Sequence, residues 1–353
     1  MISLVFVGLT GCTSKKTSLT FGTHIQQSLD SLKPIESSTL LDKSYSDEVY
    51  LLATYQGQYS KDCLCWSTFQ NVIVNYTNKY HEKVYLYDMD SYNKMEMNLG
   101  LDIYKDSTPA LYIYQGREQL AKFSYKEERD NAIFAELDAE AMYTRVHNYV
   151  EKPVIYEVDD AYLSENLSSK DEVITMFVRR SCTDCSYSLN KVLIPYINKK
   201  DINKEIWYFD LEDYYLLSKD QNATSAEQSS YQQIKDKYGL SESNGGSLGY
   251  SSGFVPTTQY YKNGVLKDAS VFFNDEVSKK EDGSYYISNS FYTSERLTSL
   301  SYCKHVKNNV LKGMNLGSDE VATTASGYTY WIQAKAAVYH TPLLEAFLNY
   351  YCK

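Results

Sequence analysis

Basic residues are the scarcer charge in this 353-residue chain: 35 Lys and Arg against 45 Asp and Glu leave a formal net charge of −10. A surface of that sign repels a phosphate backbone, which excludes nucleic acid as the main partner. Metal ligands are short in the arrangements a metal needs. Zinc takes four, yet the five histidines form no pair at ligand spacing and no domain holds two C-x-x-C pairs. Neither a metal nor a cofactor is expected. What the chain does have is apolar bulk, 43% of its residues, enough to fill two cores, and its length favours two domains. The 36 tyrosines suit half-buried strands, since Tyr joins an apolar body to a polar tip; a carbohydrate or peptide platform is the alternative.

The opening run "MISLVFVGLTGC" carries no Lys or Arg and ends in Leu9-Thr10-Gly11-Cys12. This resembles the lipobox of bacterial lipoproteins. The resemblance implies that residues 1–12 are a signal peptide and lipobox, with cleavage before Cys12 and a lipid on that cysteine, which places the protein on the extracytoplasmic face of a bacterial cell membrane. A buried N-terminal strand is the alternative. Residues 13–45, rich in Ser, Thr and Lys, read as a flexible tether. Setting Cys12 aside leaves two close-spaced pairs, Cys63/Cys65 and Cys182/Cys185, together with Cys303 and Cys352. In an exported protein an even count permits disulfides, and Cys303 with Cys352 is the favoured structural disulfide, although spacing does not fix connectivity.

In "VITMFVRRSCTDCSYSLNKVL", residues 173–193, the strand-like run Val173–Val178 passes into helical spacing at Leu189, Val192 and Leu193. Cys182 and Cys185 sit at the seam. Unpaired N–H groups and the helix dipole favour a thiolate there. Arg179 and Arg180 are expected to add to that preference and Asp184 to oppose it. The spacing reads as a redox dithiol, with a permanent disulfide or a zinc half-site as alternatives.

Downstream come "KEIWYFDLEDYY", a strand ending in acids, and "SAEQSSYQQIKDKYGL", a helix closed by Gly239. Val255-Pro256-Thr257 and a hairpin signal at Asn263-Gly264 follow. The order over residues 173–273 is similar to the thioredoxin superfamily, with "SESNGGSLGYSSG" inserted before Val255. Residues 46–150 repeat the plan, with Cys63-Leu64-Cys65, a strand ending at Asp88 and Asp90, Thr108-Pro109 and Gln115-Gly116. The resemblance implies an α/β fold of two thioredoxin-like domains, each a central mixed sheet flanked by helices. They span 46–152 (C-x-C) and 154–353 (C-x-x-C, with the loop insertion and a C-terminal extension), with Pro153 in the linker. It further implies cis prolines at Pro256 and Pro109, which with Val255 and Thr108 flank substrate grooves, and roles for Cys182 as attacking thiolate and Cys185 as resolving thiol. Ser181 and Thr183-Asp184 depart from the family's usual Trp and Gly-Pro. At the first site two readings stay open: an easily reduced Cys63–Cys65 bond, or Asp62 in the attacking position with Cys65 resolving. The expected function is a membrane-anchored, extracytoplasmic thiol–disulfide oxidoreductase acting on the thiols and disulfides of exported proteins, served by a membrane redox partner. A non-catalytic binding module is the alternative.

Overall fold

The structure, a computed structural model, describes residues 16–57, 64–91, 99–104, 108–124, 138–200, 202, 204–240, 255–272, 277–287, 315–323, 325, 329–331 and 333–352. In chain order, β1 (Phe21–Thr23) and α1 (Ser37–Ser44) come first. Then follow β2 (Val49–Tyr55), α2 (Leu64–Tyr80), β3 (Val84–Asp88), β4 (Ala110–Gln115), β5 (Glu118–Ser124) and α3 (Ala139–Val146). The second half holds β6 (Ile155–Glu157), α4 (Asp160–Asn166), β7 (Glu172–Val178) and α5 (Thr183–Tyr187). A π-helical turn (Ser188–Leu193) carries α5 into α6 (Ile194–Lys199). After these come β8 (Ile206–Asp210), α7 (Glu212–Leu217), α8 (Ser225–Lys237), β9 (Thr257–Lys262), β10 (Val265–Val271) and α9 (Gln333–Tyr351).

The "VYLLATY" of β2 shows why the first sheet forms. Side chains alternate across a strand, so Val49, Leu51 and Ala53 enter one apolar cluster with Phe69 and Ile73 of α2, while Tyr50 and Leu52 enter another with Leu40 of α1. A strand covered on both faces becomes a continuous apolar run. The second sheet is built around β7, where Val173 to Val178 are all buried.

Both sheets share one arrangement. The first runs β3-β2-β4-β5 and the second β10-β9-β7-β8-β6-β1. In each, a parallel pair (β2 with β3, β7 with β8) is followed by an antiparallel hairpin laid against its first strand. Even the bulges correspond, at Ile113/Tyr114 of β4 and Tyr260/Tyr261 of β9, the fourth and fifth residues of each strand. The fold is α/β, with mixed sheets flanked by helices in a thioredoxin-like arrangement.

The flexible tether expected over 13–45 is overturned from residue 17 onward. Thr17–Ser18 pairs in parallel with Val150–Glu151, and β1 adds an edge strand to the second sheet beside β6. Leu19, Phe21 and Leu40 are buried. The cause is local: Leu19 joins the core of the first half and Phe21 that of the second, so apolar residues two apart tie a polar segment down. Residues 1–15, with Cys12 and the lipobox, lie outside the described residues, as do Cys63, Cys303 and residues 241–254 with the inserted loop.

Candidate active site

The dithiol sits where β7 ends. Cys182 is the N-cap of α5, with extended backbone (φ −86°, ψ 120°), and its sulfur accepts the backbone N–H of Cys185 at 3.4 Å. A cap accepting one of the orphan N–H groups of a helix start is what a thiolate does best there. Hydrogen bonding from the Cys185 thiol, and after it from the Cys185 backbone, outweighs burial and the Asp184 charge and draws the Cys182 pKa down to about 7. Cys185 lies one turn inside at 3% exposure. Burial first, then the neighbouring Cys182 sulfur, pushes its thiol far up, against a 3.4 Å hydrogen bond from the Arg179 N–H. The pair therefore holds one proton unequally: Cys182 ionises and Cys185 stays protonated. Both carry free thiols.

Opposite the sulfur stands the turn into β9. The Val255–Pro256 peptide bond is cis, and the Cys182 thiol lies 3.6 Å from the Val255 carbonyl. Thr108–Pro109 in the first half is cis as well.

The acids at the strand ends have a duty that their sequence position alone did not reveal. Asp210 Oδ1 accepts the backbone N–H groups of Glu212 (2.9 Å) and Arg180 (3.3 Å), which fixes the loop entering the dithiol. Asp88 Oδ1 accepts those of Asp90 (3.0 Å) and Gly57 (2.9 Å), the corresponding positions of the first half. Glu212, almost fully buried, accepts both the N–H and the hydroxyl of Ser181 at 2.9 and 2.8 Å, so the residue before Cys182 is anchored from the next strand's end.

Of the two arginines expected to favour the thiolate, Arg180 is engaged elsewhere. Its guanidinium pairs with Asp210 at 3.1 Å and with Asp213, because those acids meet it at the end of the adjacent strand. Arg179 stacks its guanidinium on the Tyr215 ring, 3.9 Å from the centroid, and feels the charge of Cys182. The opposing effect expected of Asp184 is present.

In the first half, Cys65 lies in the first turn of α2, directly before Trp66, which stacks on Tyr55 at 4.3 Å. Cys352, at the end of α9, is buried, with a free thiol that burial pushes up to about 12. Its expected partner Cys303 lies outside the described residues. Among the described residues no group of three or more His, Cys, Asp or Glu could hold a metal ion, and no helix is long and apolar enough to cross a membrane.

No protein-family model and no curated protein matches the chain in sequence. Solved structures to which it is similar share the thioredoxin fold. A mutant thioredoxin from Halobacterium salinarum is 14% identical over 39% of this chain and 96% of its own, with a TM-score of 0.23. The zinc-bound form of human ERp44 is 12% identical over 65% of this chain and 61% of its own, with a TM-score of 0.22. The first two thioredoxin domains of Saccharomyces cerevisiae Eps1p are 9% identical over 71% of this chain and 94% of their own, with a TM-score of 0.20.

Proposed function

We propose that the protein is a thiol–disulfide oxidoreductase of tandem thioredoxin-like design, tethered through Cys12 to the extracytoplasmic face of a bacterial membrane and acting on exported proteins. The observation that supports it best is the unequal pair, a half-buried Cys182 ionising near neutral pH beside the Val255 carbonyl and a buried, protonated Cys185 behind it. The Cys182 thiolate attacks one sulfur of a substrate disulfide, forming a mixed disulfide and expelling the other sulfur as a thiolate. Cys185 then gives up its proton and attacks the Cys182 sulfur, which closes the Cys182–Cys185 bond and releases the second substrate sulfur. Two electrons pass to the substrate. Run backwards, the same steps oxidise a substrate dithiol. Which way the exchange runs depends on the redox partner that restores the pair, and a membrane protein is the partner this reading calls for.

The first half, with its C-x-C segment and the Thr108–Pro109 turn, serves in this reading as a second exchange site or as a substrate platform. The extracytoplasmic location rests on the Leu9-Thr10-Gly11-Cys12 motif. The test is trapping. Cys185→Ala removes the resolving thiol, so mixed disulfides with exported proteins should accumulate through Cys182 and vanish in the Cys182→Ala/Cys185→Ala double variant. A Cys185→Ala variant that captures nothing, alongside a wild type that neither reduces nor oxidises a model disulfide, makes the pair structural and the protein a binding module.

A further inference from the structure

Behind the dithiol, where the mechanism above makes no use of it, α9 delivers a buried histidine. His340 is 2% exposed, and its Nε2 meets the hydroxyl of the fully buried Ser188 at 2.8 Å. Ser188 begins the π-helical turn, three residues after Cys185. A π turn inserts a residue into the helical ladder, and such turns concentrate at functional sites. On its other side the His340 ring lies against Phe272, 4.6 Å between centroids. The Phe272 N–H in turn donates to the Pro256 carbonyl at 3.1 Å. Thr341, the next residue of α9, meets the Tyr187 hydroxyl at 2.9 Å, and Tyr187 packs edge-on against the same Phe272. These contacts close a ring that runs from the dithiol helix through His340 and Phe272 to Pro256, and back across the site from Val255 to Cys182.

We propose that His340 is a positioning residue of the dithiol site: it ties the helix that carries Cys182 and Cys185 to the Val255–Pro256 turn, and so sets the gap in which the Cys182 sulfur sits. The proposal rests on the redox reading of the pair. Its geometry favours this role over filler, because an apolar side chain would satisfy the cavity but leave the Ser188 hydroxyl without its partner. Burial keeps the ring neutral, with its pKa drawn down to about 3 against a weaker pull from the Val271 backbone, so the His340–Ser188 hydrogen bond does not change with protonation across the working pH range, and the ring's tautomer sets which partner donates. One hydrogen bond between α9 and the dithiol helix thus fixes the register of the two helices.

The test uses the full chain with His340→Leu, Ser188→Ala and the double variant, each checked for folding by circular dichroism. The readout is the pH dependence of iodoacetamide alkylation at Cys182, followed by mass spectrometry of its peptide. Loosening one hydrogen-bonded tie should move the midpoint upward and slow alkylation at pH 7 by about three- to tenfold in either single variant, with the double variant no worse than one single. His340→Gln, whose amide can accept from or donate to the Ser188 hydroxyl, should recover most of the rate. A folded Ser188→Ala variant with the wild-type profile overturns the proposal, and it decides the matter even if His340→Leu does not fold. Alkylation requires no disulfide exchange. A shifted profile in a protein that traps no substrate would therefore keep the clamp and sink the oxidoreductase.

Discussion

One proton shared unequally between two sulfurs is the chemical content of the dithiol. The Cys182 pKa lies below the ordinary thiol range, so the thiolate is present above about pH 7 and is lost as the pH falls through that value. Alkylation of Cys182 should follow that curve, while Cys185 stays unreactive until the protein unfolds. Asp184 works against the thiolate. Asp184→Asn should move the Cys182 midpoint lower, and a midpoint that moves up instead would mean that the carboxylate acts mainly through the backbone of α5. Glu212 gives a second residue-level test. It accepts two hydrogen bonds from Ser181, and Glu212→Ala leaves that N–H and hydroxyl unpaired next to Cys182. A stability loss of about 1–3 kcal/mol is expected by denaturant titration, together with slower thiol exchange. The dithiol, its place at a helix start and the opposition of Asp184 could all be read from spacing and charge. The capture of Arg180 by Asp210 and Asp213 could not, because it joins residues about thirty positions apart that only the parallel pairing of β7 with β8 brings together.

Among the elements, α1 departs most from its sequence. "SSTLLDKS" is short and polar, yet Leu40 is fully buried against Tyr50, Leu52 and Tyr112 of the first sheet. Leu40→Ala should therefore cost about 2–5 kcal/mol of stability, measured as a fall in denaturant midpoint at unchanged slope. A change within a few tenths of a kcal/mol would return the segment to the role of a loose tether. The reason the sequence misled here is physical. A two-residue strand, a three-residue strand and an eight-residue helix are each too short to show a period, and their stability comes from surfaces supplied by distant residues. Longer elements were readable: β7 and β2 from their apolar runs, α8 from its helical pattern closed by Gly239, and the β9–β10 hairpin from Asn263-Gly264, both at positive φ. The π-helical turn at Ser188–Leu193 left no such signal, since "SLNKVL" shows ordinary helical spacing.

At the scale of the molecule, the doubled plan was visible because motif order survives where motif detail does not. Asp88 and Asp210, Pro109 and Pro256, and the two hairpins occupy matching places in halves whose cysteine spacings differ. The proposed anchor makes the prediction at this scale. Cys12→Ala should release the protein from membranes into the soluble fraction, and a variant that stays membrane-bound would remove the lipid from the proposed function.

Residues 17–23 lie across both halves, with Thr20 bonded to Val49 on one side and to Ile155 on the other. Their fixing shortens the leash. Had the chain been free to residue 45, an anchor at Cys12 would let the dithiol sweep a wide shell above the lipid. With Thr17 already held, only four residues of chain lie between it and Cys12, five steps that span no more than about 18 Å at full extension. A lipid there would hold the body almost flush with the bilayer. The reach of the dithiol would then be set by the dimensions of the folded body and not by the length of a free leash.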